Sequence, residues 1–499
     1  MPFTSRTRAV VVLASALLLL SALTWTPGAQ AAPGSDARAA AHRAKAEKLL
    51  AQVQHALAPK KLPSRTLGNP LPRTDVGLLM HRLQVAKGAL SAKGQATADL
   101  ATSRPIPAST GCVAATQPGG LLTPSVDWAA AHSQHFCVHY IVGGTRGATP
   151  YWVQATLKVL EHVYAAEIGS TNLGFRKPLN DGDGKYDVFL DEIGNNGYYG
   201  FCTTDTASST STAWCELDND FAESEFGAPP GNSLRVTAAH EFFHAIQFAY
   251  DANDMTWFLE GTAVWMEDQV YPTINDYLQY LKYSQITQST VPIDTTGTYE
   301  RYGAVIFWKY LSEGYHDVDI VHRIWNAAGV SEGSRNALQA TIDVLRAKHV
   351  NFAQAFARFS VWNTLPPNTY ADRKLWPKPV AWGTANLNTR TKDTGDQTIT
   401  LDHLSSANVV LIPSTALPTS TRLRITVSAP SGIVGQVRIQ VRRTDGSVGY
   451  TTMTLSAAGN GSSLIAFTGK SMASVRVTLA NVTTTGDNQA FKFRAVEVS

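Results

Sequence analysis

Thr237-Ala-Ala-His240-Glu241-Phe-Phe-His244-Ala-Ile-Gln-Phe248 is the stretch from which the rest of this chain can be read. Two histidines four apart on a helix stand about 40° apart around its axis, so both imidazoles reach one ion. Glu241 lies beside that face. Its carboxylate can take a proton from a water on the ion without being a ligand itself. Leu234, Ala238, Ala245 and Phe248 are apolar at positions that bury the helix, which would make it a rigid platform. The competing reading is an ordinary helix with two polar residues per turn.

A catalytic zinc takes three protein ligands and keeps one position open. The third candidate is Glu260, within Trp257-Phe-Leu-Glu260-Gly261-Thr-Ala263-Val-Trp265-Met-Glu267-Asp268. The polar residues 251–254 can reverse the chain. A helix starting near Thr256 then returns Glu260 to the histidines. Glu267 lies two turns further on the same face. It is either a partner behind a ligand histidine or the alternative third ligand.

His-Glu-x-x-His followed by Trp-x-x-Glu-Gly-x-Ala resembles the gluzincin zinc peptidases, which include thermolysin and the large zinc aminopeptidases. TAAHEFFHAIQFAYD, with LDNDF just upstream, is similar more closely still to a family of secreted bacterial metallopeptidases. The similarity runs over about 135–320, less than half of the chain. It implies a zincin-like domain with Glu260 as third ligand. The ligand spacing is slightly shorter than in thermolysin, and the aminopeptidase Gly-x-Met-Glu-Asn type of motif is not evident, so no cleavage specificity is implied. Tyr299-Glu-Arg-Tyr302-Gly303 resembles the tyrosine-then-glycine helix start of the aminopeptidases. That implies a phenol on the oxyanion, with Tyr302 the first choice and Tyr299 the second. The chain has 17 tyrosines, and ordinary packing is the other reading for both.

The chemistry expected is hydrolysis of a peptide or protein substrate. Zinc would act as Lewis acid, and Glu241 would take the water proton and pass it to the leaving amine. Two alternatives belong to other classes: a secreted zinc-fold binding protein that no longer turns over, and a zinc hydrolase that is not a peptidase. The presence of Glu241 favours an enzyme, because a purely structural zinc site needs no base.

Around this centre the chain organises itself. It has 499 residues, too many for one core. A composition of 44% hydrophobic and 16% charged residues excludes a long disordered charged chain, and a net charge of +3 lacks the basic excess of a nucleic-acid binder. Residues 1–31 read as a secretory signal peptide: Arg6 and Arg8, an apolar run from Ala9 to Leu23, then Ala29-Gln30-Ala31. The apolar run is too short for a membrane span, so the protein after cleavage is expected to be extracellular and without a membrane segment. Residues 32–107 carry helical patterns over 36–58 and 75–101 and resemble a propeptide, with a plain helical subdomain as the alternative. Residues 108–395 mix strands, at 136–142 and 186–190, with helices, at 150–167 and from Ser233 to about 362. This is an α+β pattern: a small sheet, the metal helix and a helical lobe. From 396 to 499 the period-two alternation of Leu423, Ile425 and Val427, of Val437, Ile439 and Val441, of Val475, Val477 and Leu479, and of Phe491, Phe493 and Ala495 predicts a β-sandwich, with a hairpin turn at Asp445-Gly446.

Four cysteines in an exported chain predict two disulfides. Cys112–Cys137 and Cys202–Cys215 are favoured because each closes a short loop. In Asn180-Asp181-Gly182-Asp183-Gly184-Lys185-Tyr186-Asp187, the residues Asp181, Asp183 and Asp187 form a candidate calcium loop, since oxygen ligands alternate across a glycine-permitted turn. It lacks the full 12-residue pattern, and a polar surface turn is the other reading.

Overall fold

The computed structural model describes residues 33–498, apart from 59, 61, 71, 73, 118–124, 170, 298 and 330–335. The expected signal peptide lies outside the described residues. Three helices come first: α1 (Pro33–Leu57), α2 (Gly77–Ala86) and α3 (Ala92–Thr102). The helical pattern at 75–101 is thus broken in two. Leu90 is extended, and the Ser91 hydroxyl accepts the Gly94 N–H to start α3 afresh.

A six-stranded sheet follows, built from β1 (Ala115–Gln117), β2 (Val126–His132), β3 (Phe136–Ile141), β4 (Tyr186–Asp191), β5 (Gly200–Thr204) and β6 (Ala213–Asp218). Its order is β1-β2-β3-β4-β6-β5. The β3–β4 and β4–β6 pairs are parallel and the others antiparallel, so the sheet is mixed and β5 is an edge strand. Between β3 and β4 runs α4 (Pro150–Ile168), whose first turn is set by Pro150 and by the Thr149 hydroxyl accepting the Trp152 N–H at 3.2 Å. Every residue of β4 and β5 is buried. The sheet is covered on both faces, which is why these strands show no polar alternation.

One face of the sheet packs under α4 and α6 (Pro230–Phe248), through Val138, Val188, Leu190 and Leu217. The opposite face presents Trp128, Phe189, Phe201 and Trp214 to Val76, Met80 and Leu83 of the N-terminal helical segment. The central region continues through a short α5 (Glu223–Phe226) upstream of α6 and then α7 (Thr256–Val270), α8 (Glu300–Gly303), α9 (Val305–Gly314), α10 (Ile320–Ala328), α11 (Ala337–Ala347) and α12 (Phe352–Trp362).

The C-terminal part consists of two sheets, ordered β13-β10-β15-β8 and β12-β11-β14-β9-β7. Their strands are β7 (Gly383–Leu387), β8 (Gln397–Leu401), β9 (Ser405–Pro413), β10 (Arg422–Ser428), β11 (Gly435–Arg443), β12 (Val448–Met453), β13 (Asn460–Ala466), β14 (Met472–Asn481) and β15 (Gln489–Val498). All pairs are antiparallel except β7 with β9, so residues before 396 also enter these sheets. Leu423, Ile425, Phe491 and Phe493 of one sheet share a core with Val437, Ile439, Val475 and Val477 of the other. The β11–β12 turn places Gly446 at φ 86°, a conformation glycine reaches without strain. Among the described residues no helix is long and apolar enough to cross a membrane.

The disulfides are Cys112–Cys137 and Cys202–Cys215. The second joins β5 to β6, where the two residues are direct cross-strand partners.

Candidate metal centre

Helix α6 is buried from Val236 to Phe248, wedged between the sheet, α4 and α7. The chain reverses at 251–254, where Asp251 accepts the Asn253 N–H at 2.9 Å. Asp254 accepts those of Met255 at 2.6 Å and Ala337 at 3.1 Å. Helix α7 then lies against α6. On its other side α7 meets α9, where a Cβ at Gly261 would stand 2.7 Å from the Trp308 indole nitrogen.

The two helices bring His240, His244 and Glu260 together with no exposed surface on any of them. His240 Nε2 is 3.4 Å and His244 Nε2 3.7 Å from Glu260 Oε2. Donors about 2.0–2.2 Å from one tetrahedral ion stand roughly 3.3–3.6 Å apart, so the triad has the spacing of a ligand set. The far sides of the rings are fixed. His240 Nδ1 lies 2.7 Å from Glu267 Oε1, and His244 Nδ1 lies 2.7 Å from Gln247 Oε1. Gln247 donates in turn to the Leu259 carbonyl at 2.8 Å and the Thr262 hydroxyl at 3.1 Å. With Nδ1 carrying the proton on each ring, both Nε2 lone pairs face inward. His244 Nε2 and both Glu260 oxygens are buried and have no hydrogen-bond partner among the described residues, the condition a cation would relieve. The triad fits a metal ion such as zinc.

The charges agree. Burial opposes protonation of His244, but the surrounding carboxylates Glu260, Asp75 and Glu241 outweigh it and push its pKa up to about 9. Burial would raise Glu260; the charge of Arg301 and the two imidazoles outweigh it and hold the carboxyl well below the usual range. Asp75 is raised, first by burial and then by the charge of Glu260. The pocket concentrates negative charge that calls for a cation.

Of the other residues singled out in the sequence, Glu241 is 1% exposed and belongs to a second convergent group with His244 and Asp75. Glu267 stands behind His240 on its Nδ1 side. Tyr302 is buried at the site, its ring stacked 6.2 Å from that of His240. Its hydroxyl accepts the Asp75 N–H at 3.0 Å and an Arg301 N–H at 3.4 Å. Tyr299 is only half-buried, with its ring stacked on Tyr283 at 4.8 Å.

At the candidate calcium loop the structure places a protein cation. Asp181 and Asp187 both turn to the guanidinium of Arg104, which also bonds Asp205 at 2.7 Å and the Ala213 carbonyl at 3.1 Å. Asp183 accepts the Lys185 N–H at 2.8 Å and closes its own turn. An arginine from the end of the N-terminal segment is therefore the cation of this cluster. Cys137, His139 and Asp187 also converge, but Cys137 is spent in its disulfide.

Two residues of the site were not found in the sequence. Arg301 places Nε 3.5 Å from Glu260 Oε1, and its neighbour Tyr302 was the only pointer to it. Asp75 belongs to the N-terminal segment and has no spacing relation to the histidines, so pattern carried no signal for it.

Residues 229–375, which include α6 and α7, match the model of a family described as "Family of unknown function (DUF6055)". No curated protein matches the chain. Among solved structures, one similar chain is a GH115 4-O-methyl-α-glucuronidase, BtGH115A, with specificity for decorated arabinogalactans. It is 8% identical, with a TM-score of 0.15, over 66% of this chain and 54% of that one. This chain therefore spans about half of that protein's length, and a likeness at this level carries no argument.

Proposed function

We propose that this chain is a secreted, zinc-dependent metallopeptidase of zincin-like architecture. The observation that carries the reading is the convergence of His240, His244 and Glu260 on one point with Glu241 beside it. Zinc suits two imidazoles and one carboxylate, and when bound it would supply Lewis acidity to a water and to a peptide carbonyl. Glu241 takes the proton of the water and returns it to the leaving amine. Glu267 and Gln247 hold the ligand rings in one tautomer and orientation. Tyr302, whose hydroxyl accepts from Arg301 at 3.4 Å, and Arg301, 3.5 Å from Glu260, are the groups we assign to the developing oxyanion.

Export is proposed from the N-terminal pattern and is supported by the two disulfides, which persist in oxidising compartments. The segment 32–107 is proposed as a cover over the sheet and the metal centre.

Glu241→Gln tests the mechanism. The variant should keep the metal and the fold and lose cleavage of denatured casein by several orders of magnitude. Cleavage at near wild-type rate would remove Glu241 from the mechanism. Cleavage of small esters but not of casein by the wild type would move the enzyme out of the peptidases.

A further inference from the structure

We infer that the cavity at the N-terminal end of α6 is a subsite for the substrate polypeptide, which it grips by backbone N–H groups roughly three residues from the bond to be cut. The inference rests on the peptidase reading above and adds a surface that holds substrate away from the metal. The cavity has a volume of about 530 Å³. Three pieces of chain line it: residues 67–70 of the N-terminal segment, residues 227–233 at the start of α6, and residues 274–279 after α7.

Its place relative to the metal centre follows from the helix. Ser233 and His240 both lie on α6, seven residues apart. Seven residues are close to two full turns, so the two side chains leave the helix on nearly the same face, about 10 Å apart along its axis. The wall after α7 continues into the site. Gln279 is followed by Tyr280, whose ring stacks 5.1 Å from that of Tyr302. The N-terminal segment touches both places. Leu67, Gly68 and Pro70 line the cavity, and Asp75 Oδ2 stands 3.6 Å from His244 Nε2. An extended chain advances about 3.3 Å per residue, so a substrate with its carbonyl at the metal would bring a residue about three positions away into the cavity.

The lining names the ligand's chemistry. Ser233 is 2% exposed, and its Oγ has no hydrogen-bond partner among the described residues. Asn275 Oδ1 and Gln279 Oε1 are buried and unpartnered in the same way. Oxygens left unpaired and out of water are costly, and donors on a ligand relieve that cost. Asp276 is the one charged residue among the described lining residues, and it accepts the Gln279 side-chain N–H at 2.8 Å. Asn232 Oδ1 accepts an N–H of Arg235 at 3.3 Å. The cavity therefore suits an uncharged group with several N–H donors, to which Leu67, Pro70, Ile274 and Leu278 add apolar contact. A peptide backbone has that character. The rim already pairs with one: the Arg65 N–H donates to the Ser224 carbonyl at 2.6 Å, and the Gly68 N–H to the Gly227 carbonyl at 2.9 Å. Among the described residues lining the cavity none is aromatic, so a sugar finds no flat apolar face there.

The test uses the full chain carrying Glu241→Gln and loaded with zinc, so that substrate is bound but not consumed. Fluorescein-labelled denatured casein is the probe, and its anisotropy gives Kd. Ser233→Ala, Asn275→Gly and Gln279→Leu together remove the three acceptors; glycine is chosen at 275 because φ there is 57°. The combined variant should bind casein at least about tenfold more weakly with its zinc content unchanged. Equal Kd in the two proteins, or no binding of casein to either, would overturn the subsite, and casein cleavage by the chain with Glu241 intact would then leave the peptidase reading standing. Casein held through the three acceptors but never cleaved by that chain would keep the polypeptide site and overturn the peptidase reading. Displacement of casein by maltohexaose would assign the cavity to a saccharide and overturn the peptide assignment. If the combined variant does not fold, Gln279→Leu alone decides: a loss of at least about threefold in affinity supports the site, and an unchanged Kd overturns it.

Discussion

Glu260 and Glu267 differ by two turns of one helix, and that difference assigns their roles. Glu260 faces the Nε2 atoms of both histidines, whereas Glu267 reaches Nδ1 of His240 from behind. An atom on the Nδ1 side of the ring cannot share the ion that Nε2 binds. Glu260→Ala should therefore purify without stoichiometric metal. Glu267→Ala should keep metal while its affinity or activity falls about 10–100-fold, the usual cost of losing a partner behind a ligand. Metal analysis of the two variants settles the matter, and metal lost only from the Glu267 variant would exchange the roles. At this scale the sequence was readable wherever residues stand in fixed helical spacing. His240, Glu241, His244 and Glu260 form one pattern because two packed helices carry them. Asp75 and Arg104 were invisible, since each reaches its site from the N-terminal segment by a tertiary contact that no local period encodes.

Among the elements, the turn before β4 shows how a distant side chain can engage a local motif. Asp181 and Asp187 have the look of an oxygen cage, but Arg104 arrives first and is itself only 4% exposed. Removing that guanidinium strands carboxylates away from water. Arg104→Met is expected to destabilise the protein by about 3–5 kcal/mol, the range for breaking one side of a buried ion pair. Urea unfolding measures it. A loss below about 1 kcal/mol would show the cluster to be solvated and would reopen the loop to a metal. Strand reading failed for the same kind of reason. β10 and β15 alternate buried and exposed residues and were legible. β5 and β9 are buried along nearly their whole length and carry no alternation to read.

For the whole molecule, the N-terminal helices are both cover and core. Val76, Met80 and Leu83 bury Trp128, Phe189, Phe201 and Trp214 on the outer face of the sheet. A chain begun at residue 108 would expose those aromatic rings together, a patch that soluble monomers avoid. Such a truncated chain should bind a hydrophobic dye strongly or aggregate, and its thermal transition should fall well below that of the full chain. An unchanged transition would show that the sheet face does not depend on the helices. A proteolytic cut in the stretch between α1 and α2 should leave α1 associated with the rest, because its Ala46 and Val53 are buried in the same core.

The functional account depends on one premise, that a metal ion sits between His240, His244 and Glu260. Its most direct test is metal content per chain, by elemental mass spectrometry, for the wild type and His244→Ala purified side by side. The account predicts one zinc per wild-type chain and none retained by the variant. A wild type that holds no metal after exposure to zinc, or a variant that holds as much as the wild type, would contradict it.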